Sequence, residues 1–130
     1  MIVYEIPTGK ISSIDDDTGE TLTLGTGYAG HGVWMNNPDA IDQHGEGPLP
    51  PGMYMIGTPE DRLQSTGEFS IPLTPDPTNE MWGRGDFYCH GDNPQQNHTA
   101  SDGCIVCSRR VREIIAQHKV LCVIVPPATA

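Results

Sequence analysis

Apolar and polar residues alternate through Met1–Ile6 and again through Thr21–Leu24, the period-two signature of half-buried strands. Asp15–Gly19 lies between them and reads as a turn, so residues 1–24 predict hairpins. Met53–Ile56, Glu68–Leu73 and Asp86–His90 predict three further strands, and Pro72 favours an edge or a strand end for the second. Val111, Ile114, Ile115 and His118 recur at i, i+3, i+4 and i+7, so Ser108–His118 predicts a helix with Ser108 as its N-cap. Val120–Val125 reads as a buried strand ended by Pro126 and Pro127. The pattern is mostly β (α+β): one β-sheet with a single C-terminal helix packed on it.

The 130 residues fit a single domain, 1–130, long enough to bury a core without disulfides or metals. The 15 glycines and 12 prolines are spread along the chain and mark short strands and turns rather than a disordered tail. Thr26–Gly32 and Gly45–Gly52 are the densest such connections. The net charge of -10 argues against nucleic acid and against an anionic membrane surface as partners. Asp15-Asp16-Asp17 reads as a solvated turn. No window approaches the roughly 20 apolar residues of a membrane span. The first residues have neither a basic n-region nor an apolar h-region, so the sequence predicts synthesis in the cytoplasm without a signal peptide.

Chemistry concentrates between His90 and Cys104. The histidine ends a predicted strand, and the cysteine follows fourteen residues later in a glycine-flanked turn. An imidazole beside a thiol can take its proton and so raise its nucleophilicity. Acyl transfer also needs donors for the oxyanion, and Gly103 lets the backbone come close. The N–H groups of Gly103 and Cys104 are therefore the expected oxyanion hole. A third group must orient the imidazole; Asp92 and a backbone carbonyl are both candidates. Cys104 and Cys107 also form a C-x-x-C, but the intervening Ile-Val is strand-like and aims the two thiols apart. Cys89 and Cys107 read as packing residues. Cys89 and His90 face opposite sides of a strand, which makes a four-ligand zinc cage awkward. No metal or organic cofactor is expected.

His90-Gly91, a loop, then Ser101-Asp-Gly-Cys-Ile105 resembles the active-site motif of the YkuD-type L,D-transpeptidases. Two positions depart from that motif: Asp102 stands where the family has a second histidine, and Val106 where it has Arg or Asn. Together with Gly27-Tyr-Ala-Gly30, Asn36-Asn-Pro38, Gly47-Pro-Leu-Pro-Pro-Gly-Met-Tyr54, Met81-Trp-Gly-Arg84 and Phe87-Tyr-Cys-His-Gly-Asp92, the pattern looks like the L,D-transpeptidase-like effectors of type VI secretion systems, a branch also found in phage and prophage settings. The likeness runs from Thr8 to about Val123. It implies an L,D-transpeptidase fold, with Cys104 as nucleophile and His90 as general base. The implied reaction cuts the bond between meso-diaminopimelate and the terminal D-alanine of a peptidoglycan stem peptide, or exchanges that D-alanine for another D-amino acid. Its implied partners are peptidoglycan stem peptides and an immunity protein or secretion-system component. Its implied place of action is the periplasm of a target bacterium.

Arg84, in the turn before the catalytic strand, is a candidate to bind a substrate carboxylate; its alternative is a solvated charge. Trp82 and Tyr28 are candidates for a substrate wall, and Ser101 for substrate binding or, more simply, for bonding the turn backbone. His98 is a loop histidine between base and nucleophile; His31 and His44 receive no role. Three rivals remain: a phage-type cysteine peptidase or amidase cutting another wall bond, a non-catalytic wall-binding module, and a thiol-redox protein working through Cys104 and Cys107.

Overall fold

The computed structural model describes residues 1–94 and 100–126. In chain order its strands are β1 (Ile2–Glu5), β2 (Lys10–Ile14), β3 (Thr21–Thr26), β4 (Tyr28–Ala29), β5 (Gly52–Ile56), β6 (Glu60–Arg62), β7 (Gly67–Pro75), β8 (Phe87–His90), β9 (Ile105–Val106) and β10 (Val120–Ile124). The helix α1 (Arg109–Ile115) falls between β9 and β10. The strands run β3-β2-β1-β10-β5-β7-β8-β9-β4, with β6 added beside β7. Pairing is parallel for β1 with β10 and for β8 with β9, and antiparallel elsewhere.

The sheet curls on itself because its two ends are consecutive in the chain. β3 and β4 lie at opposite ends of the strand order, yet only Gly27 separates them. A Cβ on Gly27 would stand 2.5 Å from the Val106 carbonyl oxygen and 3.2 Å from Ile11 Cδ1. Glycine is what lets β2 and β9 approach here. Ile2, Tyr4, Ile11, Tyr54, Ile71, Ile105 and Leu121 fill the interior. The mostly β sheet with one late helix is the architecture the sequence predicts.

Pro72 departs from expectation. It sits inside β7, opposite Tyr88 of β8, and not at an edge or a strand end. Proline is tolerated because β5 stops beside it: Gly57 N–H still donates to the Pro72 carbonyl, and only the return bond is missing. The strands β2, β4 and β6 were not expected as separate elements.

The Ser108 side chain accepts the Val111 N–H and caps α1, while Val111 and Ile115 bury against β7 and β8. The helix stops at Ile115 rather than at His118, whose N–H closes a tighter turn on the Ile115 carbonyl before β10 begins. Arg112 is buried on the same helix. It donates to the carbonyls of Cys107 (3.2 Å), Glu68 (2.9 Å) and Phe69 (2.9 Å). Phe69 has φ +54, a conformation that breaks the ladder of β7 and leaves those strand carbonyls in need of a donor.

Candidate active site

The turn that delivers Cys104 is built around one buried hydroxyl. Ser101 Oγ donates to the Cys104 carbonyl and accepts from the N–H groups of Gly103 (3.0 Å) and Gly30 (2.9 Å). One donor and two acceptors exhaust what a serine can do. Ser101 is therefore a pin for the turn and not a group facing substrate. Gly103 has φ +138, and a Cβ there would lie 2.7 Å from Arg84 Nη2 and 2.8 Å from the Phe87 ring. Its N–H points at Ser101, so the expected pair of oxyanion donors is reduced. Of the two amides, the Cys104 N–H is the one with no acceptor among the described residues.

Below the turn lies the proline-rich segment 45–52. Prolines supply no N–H, so its carbonyls need outside donors. Arg84 provides them: Nη1 donates to Ile41 and Pro48, and Nη2 to Gly47, each at 2.7 Å. Arg84 is only 7% exposed and lies over Phe87. Three of its five N–H groups are committed to backbone, and Arg84 also lines the cavity that holds Cys104. Leu49 N–H in turn holds the Gly103 carbonyl at 3.0 Å.

Cys104 Sγ accepts the Tyr88 N–H at 3.3 Å and lies 3.7 Å from the Asp86 carbonyl. Asp86 has φ +59, a strained setting that turns its carbonyl toward the thiol. Burial pushes the Cys104 pKa up. The Tyr88 N–H pulls it back, Asp102 and Asp86 raise it further, and the Arg62 charge lowers it. The sulfur opens onto a cavity of about 290 Å³ with His44, Asp86, Phe87 and Asp102 on its walls.

His90 is buried, and its Nδ1 lies 2.8 Å from the Gly91 carbonyl. A carbonyl only accepts, so Nδ1 carries the proton and Nε2 keeps the lone pair that can act as base. Burial holds the imidazole pKa below its usual value, with the Gly91 bond opposing that effect. Of the two candidate orienting groups, the carbonyl does the work. Asp92 is engaged elsewhere: its Oδ1 accepts from Tyr28 OH (2.7 Å) and from Asn93 N–H (2.9 Å). Tyr28 OH also accepts the Ala100 N–H at 3.1 Å, so Tyr28 and Asp92 tie together the two described ends of the loop between His90 and Cys104. Burial and the Asp92 bond push the Tyr28 pKa up to about 12.

No hydrogen bond joins Cys104 to His90. The parallel register pairs His90 with Val106 and Cys89 with Ile105, which brings Cys104 level with Tyr88. Cys104 and His90 are thus two residues out of step along adjacent chain segments, a rise of about 7 Å along the strand direction. His90 lines its own cavity of about 300 Å³, beside Leu63, Thr66 and Asp92. Another cavity, of about 640 Å³, lies on the Tyr28–Asp92 side and does not include Cys104 in its lining.

Three neighbours carry no signal in linear spacing. The Arg62 guanidinium stacks 3.9 Å over the Tyr88 ring, and its charge reaches both Cys104 and His90. His31 Nδ1 is 2.9 Å from the Ser101 carbonyl and 3.7 Å from Asp102 Oδ1, so an imidazole from the β4 end of the sheet stands beside the position where the resembling family has its second histidine. His44 contacts the carbonyl of Trp82, whose side chain is 41% exposed. His98 lies outside the described residues. Among the described residues, no three His, Cys, Asp or Glu side chains group as a metal site. Among the described residues, no helix is long and apolar enough to cross a membrane.

A sequence model of the Tlde1 domain matches residues 24–122. No curated protein matches the chain. Among solved structures, that of Bdellovibrio bacteriovorus Bd1075 superposes with a TM-score of 0.64 at 14% identity. The alignment covers 95% of this chain but only 47% of Bd1075, so the chain spans about half the length of that protein. At that identity the likeness is one of fold.

Proposed function

The chain belongs to the Tlde1 domain family, type VI secretion effectors with an L,D-transpeptidase-like domain and activity related to peptidoglycan, and from that premise we propose that it is a cysteine acyltransferase of stem peptides. Cys104 attacks the carbonyl between meso-diaminopimelate and terminal D-alanine. His90 Nε2 takes the thiol proton and returns it to the departing amine. The thioester is then released by water, giving an L,D-carboxypeptidase, or by another D-amino acid, giving exchange.

The observation that carries this reading is the setting of the Cys104 sulfur. It faces an open cavity while accepting a backbone N–H from Tyr88, a bond that favours the thiolate form. The burial of both partners supports a resting pair in which thiol and imidazole are neutral, with proton transfer tied to attack. The gap between them supports a base that closes on the thiol, or reaches it through one water, when substrate is bound; such bonds are commonly long without substrate. Arg84 in the lining of the Cys104 cavity, and Arg62 stacked on Tyr88 with Glu60 3.8 Å away, are the cations available to a stem carboxylate, and Asp86 and Asp102 in the same lining suit an ammonium group.

Mass spectrometry of purified tetrapeptide muropeptides tests the reading, with wild-type protein and Cys104→Ala, with and without D-methionine. Loss of one D-alanine, or its replacement by D-methionine, is expected only with the intact cysteine. Fragments cut elsewhere would move the assignment to another wall bond. Unchanged muropeptides with folded protein would leave a wall-binding module.

A further inference from the structure

Cys89 and Cys107 hold their sulfur atoms 3.2 Å apart, and both are free thiols. Cys89 is fully buried on the core face of β8, next to His90. Cys107 follows β9, is 6% exposed, and its N–H donates to the His90 carbonyl at 3.0 Å. The register sets this approach. Cys89 is paired with Ile105 in parallel strands, and Cys107 is two residues beyond Ile105 on the same face. A disulfide has an S–S length of about 2.05 Å, so the sulfurs need to close by only about 1 Å.

The pair brackets the site. His90 follows Cys89 directly, Cys104 precedes Cys107 by three residues, and both lie within an 18-residue interval. Neither thiol has a part in the proposed chemistry, since Cys104 points the other way, to Tyr88 and Asp86. We propose that Cys89 and Cys107 are an oxidisable dithiol, a modification site where a disulfide closes the base of the segment that carries His90 and Cys104.

The oxidant is a disulfide, either a small-molecule one or that of a thiol oxidoreductase. The thiolate of one cysteine attacks it, forming a mixed disulfide and releasing one oxidant thiol. The second cysteine's thiolate attacks the protein sulfur of that mixed disulfide. The Cys89–Cys107 bond forms and the second oxidant thiol leaves. Two electrons and two protons pass to the oxidant. The hydrogen bond to Cys107 and complete burial hold the Cys89 pKa well above the usual thiol range, so exchange belongs to folding or to a local opening of β8 and β9. An effector that leaves a reducing cytoplasm for an oxidising compartment meets that condition; this point rests on the proposed place of action.

The test is to unfold the wild-type chain and refold it in oxidised and reduced glutathione or in dithiothreitol. After glutathione refolding, two thiols should titrate in denaturant, the mass should fall by about 2 Da, and peptide mapping should join Cys89 to Cys107. Cys104 should still react with iodoacetamide. The thermal midpoint should be several degrees higher than for the reduced form, and that difference should vanish in Cys107→Ala. Four titratable thiols, a glutathione adduct alone, or a bond to Cys104 would overturn the inference. Muropeptide processing is read separately, so a disulfide in a protein without wall activity would sink the enzymatic reading and leave this one standing.

Discussion

At the scale of single residues the site divides into groups that react and groups that hold. Cys104→Ala is expected to abolish muropeptide processing, and His90→Ala to lower kcat by about 10²–10⁴ in the same mass-spectrometric assay. Ser101→Ala should act on stability. It strips two buried N–H groups and a carbonyl of their partner, at a cost of about 3 kcal/mol by urea denaturation. Arg62→Gln should raise KM for stem peptides with little change in the urea midpoint, whereas Arg84→Gln should lower that midpoint because three carbonyls lose their donor. The pH dependence follows from His90. Its pKa is depressed, so the base is neutral at pH 7, and the acid limb of kcat/KM should lie below pH 6.5. The same shift means the unfolded chain binds a proton more readily there. Stability should therefore fall as pH drops through about 6.5, read as a lower denaturation midpoint.

At the scale of elements, β8 and β9 position His90 and Cys104, and α1 packs against β7 and β8. The parallel pairing places Tyr88 beside Cys104 and His90 two residues further along, so the offset between Cys104 and His90 is a property of register. Arg112 ties α1 to the kinked part of β7 behind His90. Arg112→Met keeps most of the side-chain volume but leaves the carbonyls of Cys107, Glu68 and Phe69 unpaired. A loss of about 3 kcal/mol is expected by urea denaturation, against about 1 kcal/mol for removing the helix cap with Ser108→Ala.

At the scale of the whole molecule, closure of the sheet at Gly27 brings residues near 30 against residues near 101, and so builds the turn around Ser101. Gly27→Val should cost about 3 kcal/mol or prevent folding, read by circular dichroism and urea denaturation, because its Cβ would meet the Val106 carbonyl at 2.5 Å. The longer elements were legible in the sequence: alternation marked β1 and β3, apolar runs between turn and proline signals marked β5, β7, β8 and β10, and the i, i+3, i+4 spacing with Ser108 marked α1. These are local signals, written within a few residues of chain. The segment from His90 to Cys104 was legible as well, because reactive side chains, glycine and turn residues lie in one stretch. Sequence order alone could not show that Pro72 sits within the sheet, that Asp92 serves Tyr28, that Arg84 serves backbone carbonyls, or that Arg62 and His31 stand beside the site. Nor could it show that Cys89 and Cys107 meet. Each of these depends on which backbone groups lack partners and which strands lie side by side. Those relations are set by curling and register across tens of residues, and they exist only once the chain has closed.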